Sequence, residues 1–190
     1  MAFWTTTPER DPKRNFRFQV QIDGLQTGNS TETSVWWAKK IAKPNFTVAE
    51  SKHVYLGHTF YYPGKVEWQA ISMTLVDPVD PGSLNRLNRI VRSTGYVVPG
   101  DANQLQTKSK GKAVGALGAV VIRQLDANGG AIETWTLQKP FIKSLKFSDL
   151  DYENDDLSTI DLELRYDWAV CQTIDGNGLI TSYTAQPGSQ

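Results

Sequence analysis

Cysteine is nearly missing from this chain of 190 residues: Cys171 stands alone, so no internal disulfide framework can hold the fold. Stability must come from a buried core. Histidine is almost as scarce. His53 and His58 lie five positions apart, a spacing that fits neither a helical metal pair nor a zinc finger, and a metal shared between them and Cys171 is the disfavoured reading. No excess of one charge exists either, since 20 Lys+Arg balance 20 Asp+Glu. That argues against a protein that wraps nucleic acid, which carries a basic surplus. Apolar runs approaching the ~20 residues of a membrane helix are lacking. The opening Met1 to Pro8 has no basic segment followed by an apolar one. A signal peptide is therefore not expected, and the chain is read as soluble and made in the cytosol.

Signatures of catalysis are missing as well. Neither a Gly-x-x-x-x-Gly-Lys-Ser/Thr phosphate loop nor a Gly-x-Ser-x-Gly elbow occurs, and Gly111, Gly115 and Gly118 are spaced wrongly for a dinucleotide fingerprint. Asp149, Asp151 and Glu153 open like a calcium loop, but the sixth position is Asn154 rather than Gly and the twelfth is Ile160 rather than Glu. A solvated acidic turn is the simpler reading, with a looser cation site as the alternative. Carboxylate pairs of the glycosidase kind leave no linear trace and stay open. On balance no enzyme, cofactor or metal is expected.

What is present is a core and a strong period of two. Apolar residues make up 39% and aromatics 11%, enough for one core, while a mean hydropathy of −0.40 leaves much of the chain wet. Phe16, Phe18, Val20 and Ile22 face one way and Arg17, Gln19 and Gln21 the other, which predicts a half-buried strand over 15–23. Val35 to Ala42 reads as a second strand stopped by Pro44, and Val66 to Val76 as a single further one. One clear helix follows, about 80–94. Asp80 caps it, Pro81 fits its first turn, Leu84, Leu87, Ile90 and Val91 share a face, and Gly95 stops it. Arg86, Arg89 and Arg92 form its outer side. Beyond a Gly-, Lys-, Ser- and Gln-rich loop at 99–116, strands are predicted at 117–125, 131–138 and 141–147, the first two joined through an Asn-Gly turn. The most regular run is Thr159 to Trp168. Ile160, Leu162, Leu164, Tyr166 and Trp168 face one side; Asp161, Glu163, Arg165 and Asp167 face the other.

These seven or eight strands and one helix describe a mainly β protein: an antiparallel β-sandwich or partly rolled barrel with one flanking α-helix. An N-terminal arm is expected at 1–14, the β domain at 15–172 and a polar C-terminal tail at 173–190. Residues 45–64 form a long aromatic hairpin, with Gly57 midway and Pro63-Gly64 closing it. Two readings of it stay open. Either it folds onto its own core, as aromatic strands usually do, or it reaches a second subunit. Charge is also segregated: residues 10 to 65 carry nine basic and four acidic side chains, whereas 149 to 167 carry eight acidic ones against Arg165 alone. That is either a plain solvated surface or an aid to head-to-tail association.

Several stretches recur in order: Asn15-Phe-Arg-Phe-Gln-Val-Gln-Ile22, Lys39-Lys-Ile-Ala-Lys-Pro44 before the hairpin, Val66 to Asp77 with its central Trp68, and the helix at 82–94. Lys139-Pro-Phe-Ile142, Asp149-Leu-Asp-Tyr152 and Ile160 to Trp168 complete the series. In order and spacing, over about residues 15–168, they resemble the tail-tube proteins of contractile-tailed, T-even-type bacteriophages. The long N-terminal arm, the insertion near 99–116 and the C-terminal tail depart from that pattern. The resemblance implies a non-enzymatic subunit of hexameric rings stacked into a hollow tube, the sheets of neighbours joining into one barrel without open edges. It implies as partners the chain itself, a tail sheath, a tape-measure protein, and baseplate and tail-terminator proteins. DNA would pass without specific binding and no membrane would be involved. The place would be a virion tail assembled in the host cytoplasm. Contact between rings would fall on Phe46, Tyr55, His58, Phe60, Tyr61 and Tyr62. Asp161, Glu163 and Asp167 would present a charged face to the bore, where they would repel phosphate, or to the outside. A type VI secretion-like tube or a baseplate tube initiator is the near alternative. A carbohydrate-binding β-sandwich with a pocket at Trp36, Trp37 or Trp68 is the distant one.

Overall fold

Alternating apolar and polar side chains build two antiparallel sheets that press their apolar faces together. The structure, a computed structural model, describes residues 12–25, 37–78, 83–96, 108–153, 155–174 and 180–182. Most of the N-terminal arm, the loop at 26–34, Trp36, the helix start at Asp80 and Pro81, and much of the C-terminal tail lie outside the described residues, as do the side chains of Leu84 and Arg86. The strands are β1 (Phe18–Ile22), β2 (Ala38–Ile41), β3 (Phe46–Tyr55), β4 (His58–Trp68), β5 (Ile71–Val76), β6 (Val120–Leu125), β7 (Ala131–Gln138), β8 (Phe141–Phe147), β9 (Thr159–Arg165), β10 (Trp168–Ile174) and β11 (Ile180–Ser182). Among the described residues two α-helices, α1 (Ser83–Ser93) and α2 (Lys110–Leu117), lie between β5 and β6. One sheet has the order β1-β6-β7-β10-β11, the other β2-β5-β9-β8, and β3-β4 stand apart as a two-stranded hairpin.

The expected mainly β, antiparallel sandwich is what forms, and neither sheet closes into a barrel. Val20, Ile22, Val120, Ile122 and Leu137 of the first sheet meet Ile71, Met73, Leu75, Ile160, Leu162 and Leu164 of the second. The β5–β9 register pairs Ile71 with Leu164, Met73 with Leu162 and Leu75 with Ile160, so six inward side chains form the centre of the core. Burying each contributes roughly 1.5–3 kcal/mol. Leu87 and Ile90 of α1, Leu117 of α2 and Leu25 are buried in the same core, and α1 gives way to a turn at Gly95 as expected.

Four sequence expectations need correction. The stretch read as a loop at 99–116 contains α2. Its sequence is weakly helical on its own, with Gly111 and Gly115 inside it, so packing rather than propensity selects the helix. Ser109 caps it by accepting from Lys112 N (3.3 Å), and Leu117 anchors it in the core. Gly24 lets it approach: a Cβ there would lie 2.4 Å from the Ala116 carbonyl oxygen. Second, Val66 to Val76 is two strands, because β4 ends at Trp68 and β5 starts at Ile71. Third, Thr159 to Trp168 also breaks. The chain leaves the four-stranded sheet after Arg165 and enters the five-stranded one at Trp168, so Tyr166 is buried while Trp168 is 44% exposed. Period-two alternation runs through this crossover and hides it. Fourth, the stretch from 173 read as a tail is not all tail, since β10 continues to Ile174 and pairs with β11.

The aromatic hairpin does not fold onto the core. Every residue from Phe46 to Glu67 is exposed. Its turn is Leu56-Gly57, with φ of 47° and 80°, the two positive values that a tight two-residue hairpin needs. The turn thus falls at the expected midpoint, while β4 runs on through Pro63-Gly64, expected to end the hairpin, to Trp68, with a register shift opposite Pro63. Leucine is a poor residue for positive φ, which disfavours it by about 1 kcal/mol. Leu56→Asn is expected to relieve this and raise amide protection in β3 and β4 about fivefold by hydrogen exchange. Unchanged or reduced protection would show that Leu56 carries no such strain.

Candidate functional site

The hairpin arm is held at its root and bare beyond it. The Phe46 and Trp68 rings lie 5.1 Å apart between centroids, and Trp68 meets Tyr166 edge-on at 6.0 Å. Gln69 donates through its backbone N to the Asn45 carbonyl (3.0 Å) and through Nε2 to Thr47 Oγ1 (3.1 Å). Arg165 Nη2 donates to Glu67 Oε1 at 3.2 Å. Because β2 leads into β3 and β4 into β5, the arm is a directed extension of two neighbouring strands of the four-stranded sheet. Cross-strand register puts Tyr55 opposite His58, His53 opposite Phe60 and Ser51 opposite Tyr62. Four of the six residues expected at a contact, Tyr55, His58, Phe60 and Tyr62, thus share one face. Tyr61 lies on the other, with Lys52 Nζ 5.5 Å from its ring centre, and Phe46 sits at the root. The structure does not bring His53 and His58 near Cys171, which is buried in β10. Among the described residues no group of three metal-ligating side chains exists. Trp37 belongs to the core and Trp68 is engaged by Phe46 and Tyr166.

Asp161 and Glu163 share the outward face of β9, while Asp167 lies in the crossover between β9 and β10, apart from them. Each has a donor. Thr74 Oγ1 donates to Asp161 (2.6 Å), Lys143 Nζ to Glu163 (2.7 Å) and Lys110 Nζ to both oxygens of Asp167 (2.7 and 2.8 Å). The Lys143 hydrogen bond holds the Glu163 carboxyl below its ordinary range. In register, Lys40 stands opposite Thr74 and Lys146 opposite Asp161, so charges of both signs interleave on this face.

Sequence reasoning passed over a buried carboxylate held by two lysines. Glu133 is 7% exposed, between the inner-face residues Gln124 and Thr173 of the flanking strands. Lys13 Nζ (2.6 Å) and Lys43 Nζ (2.8 Å) donate to it, as does Trp135 Nε1. Burial alone would raise its pKa; these three hydrogen bonds and the Lys43 charge outweigh burial and hold it at about 2. The node ties the segment before β1 to the segment after β2. Gln124 Nε2 donating to the Arg14 carbonyl (3.0 Å) and Leu125 N to the Arg17 carbonyl (3.0 Å) add to it. The signal was readable: Glu133 occupies an inward phase of the alternation that continues through Trp135 and Leu137. Burial, and then the Glu133 charge, push the Cys171 thiol upward, away from nucleophilic reactivity.

This fold recurs in solved structures. A chain of the anti-feeding prophage baseplate, 6-fold symmetrised, is similar with a TM-score of 0.61 at 17% identity, over 87% of this chain and 98% of that one. This is the fold of contractile injection-system chains. Two structures of the PVC extracellular contractile injection system agree. A chain of its sheath/tube terminator gives 0.62 at 15% identity (86% and 98% covered), and one of its sheath-tube complex gives 0.59 at 15% (90% and 100%). No family model matches the sequence, and no curated protein matches it. The likeness therefore lies in architecture rather than in individual side chains.

Proposed function

We propose that this chain is a non-catalytic tube subunit of a contractile particle, that six copies form a ring, and that rings stack into a hollow tube. The observation that carries the proposal is the arm. Nine of the exposed large apolar side chains lie between Phe46 and Val66, on a hairpin with no core beneath it. Monomeric soluble proteins rarely leave such a patch uncovered. A second copy, or the ring above or below, is the natural cover, with Tyr55, His58, Phe60 and Tyr62 on one face and Tyr61 on the other. Phe46 would serve at the root.

Strand direction supports ring closure. β2, β5, β9 and β8 alternate in direction, so the edge strands β2 and β8 run oppositely, and β8 of one copy beside β2 of the next continues the antiparallel pattern. The five-stranded sheet has edges of the same direction and would meet its copy in parallel. Repeating the four-stranded sheet removes two exposed edges per copy. Its outward face, with Asp161 and Glu163, would then line the bore. Interleaved charges whose carboxylates are already bonded offer phosphate no continuous basic track, which suits passage of DNA and of a tape-measure protein without retention. A contractile sheath outside, and a terminator and baseplate at the ends, complete the reading, as in a phage tail assembled in the host cytoplasm. Electron microscopy of the purified protein at rising concentration tests it. Rings and tubes are expected; isolated rings that never stack would move the assignment to a secretion-type tube or a tube initiator. A monomer at all concentrations would overturn it.

A further inference from the structure

We propose that the acidic loop between β8 and β9 of one copy seats in the open seam between β1 and β2 of the next. β1 is an edge of the five-stranded sheet and β2 an edge of the four-stranded one, and between them a groove of about 730 Å³ opens towards the core. Phe18, Ile122 and Trp135 lie at its apolar floor, and Lys39, Lys40 and Lys43 stand along it. Lys43 is engaged by Glu133, whereas Lys39 and Lys40 are exposed and form no ion pair with a described residue.

The occupant has the complementary chemistry. Leu150, Tyr152 and Leu157 are 90%, 110% and 68% exposed, a concentration of bare apolar side chains that a solvated turn does not need. Asp149, Asp151, Glu153 and Asp155 alternate with them along the loop. Apolar tips match the groove floor and carboxylates match its lysines. Position agrees too. The loop follows β8 and the groove flanks β2, and these are opposite edges of one sheet. The inference rests on the ring reading, in which β8 of each copy comes to lie beside β2 of its neighbour.

Within one chain the loop also borders a hollow that includes Lys39, so the test must separate contact within a chain from contact between chains. Two variants do this: Lys39→Glu with Lys40→Glu, and Asp149→Lys with Asp151→Lys. Each alone sets like charges against each other at every junction, and its ring population by light scattering is expected to fall at least about tenfold. An equimolar mixture places opposite charges at every alternating junction, and rings are expected to return. Circular dichroism checks that each variant remains folded. Assembly of both variants at the wild-type level would overturn the loop-and-seam contact and leave the ring reading intact. Two assembly-defective variants whose mixture stays defective, with rings restored only when all four substitutions share one chain, would place the contact within the chain and overturn it equally. A wild-type protein that forms no rings would overturn the ring reading and this contact together.

Discussion

Replacing Ser51–Tyr62 with an Asn-Gly turn is expected to leave the domain folded and to abolish stacking. The arm contributes nothing to the core between the two sheets, because each residue removed is exposed. The register keeps Glu50 opposite Pro63, so a two-residue turn closes the shortened hairpin there, above an intact Phe46–Trp68–Tyr166 root. Surface changes of this kind alter stability by about 0.5 kcal/mol, a shift of ~2 °C in Tm for a chain of this size. Assembly should respond on another scale. Aromatic anchors at interface centres are worth about 2 kcal/mol or more each, so losing Tyr55, Phe60 and Tyr62 together removes on the order of 6 kcal/mol, more than a 10⁴-fold change in association. Phe60→Ala alone is expected to weaken association about 30-fold, since it loses one such anchor. Size-exclusion chromatography with light scattering, beside thermal unfolding, reads both quantities. Stacked rings from the shortened protein would remove the arm from the contact, whatever its exposure.

Most of the architecture was legible because burial imposes a period of two on strands that face a core. Val20 and Ile22, Ile71 to Leu75, and Ile160 to Leu164 announce their faces directly. The failures share a cause: local pattern does not record where a strand changes partner. Tyr166 and Trp168 continue the alternation of β9, yet the chain crosses between sheets at Asp167, and the same phase that points Tyr166 inward leaves Trp168 exposed. Helix α2 was invisible for a related reason. Two glycines conceal it, and what makes it helical, Leu117 in the core and the close approach at Gly24, is tertiary. At the candidate site the aromatic arm could be read from its residues, but not which aromatics share a face, because that depends on the register set by the Leu56-Gly57 turn. Glu133 was overlooked since its partners, Lys13 and Lys43, are 120 and 90 positions away in the chain.

Glu133→Gln is expected to destabilise the protein at neutral pH by about 2 kcal/mol and to flatten its acid limb. Folding lowers the pKa of this carboxyl from 4.5 to about 2. Its contribution is therefore fully present above pH 4.5 and is lost as pH falls through the window from 4.5 to about 2. At 1.36 kcal/mol per unit the shift sets a ceiling of about 3.4 kcal/mol. Lys13 and Lys43 keep 53% and 47% of their side-chain surface in solvent, so water and salt screen them. That screening discounts the ceiling to about 2 kcal/mol. In Tm this is roughly 4–8 °C for a chain of this length. Wild type and variant should converge near pH 2, where the native carboxylate also takes its proton. A second readout is local. With Lys13 released, the segment before β1 loses one of the contacts that hold it to the sandwich, so trypsin should cut at Arg14 or Arg17 several-fold faster in the variant while the core stays resistant. Equal stabilities at pH 7, or an unchanged slope between pH 4.5 and 2, would mean that the two lysines do not hold Glu133 ionised. The tie between the amino-terminal segment and the sandwich would then have to come from its other contacts, among them the hydrogen bonds to the Arg14 and Arg17 carbonyls.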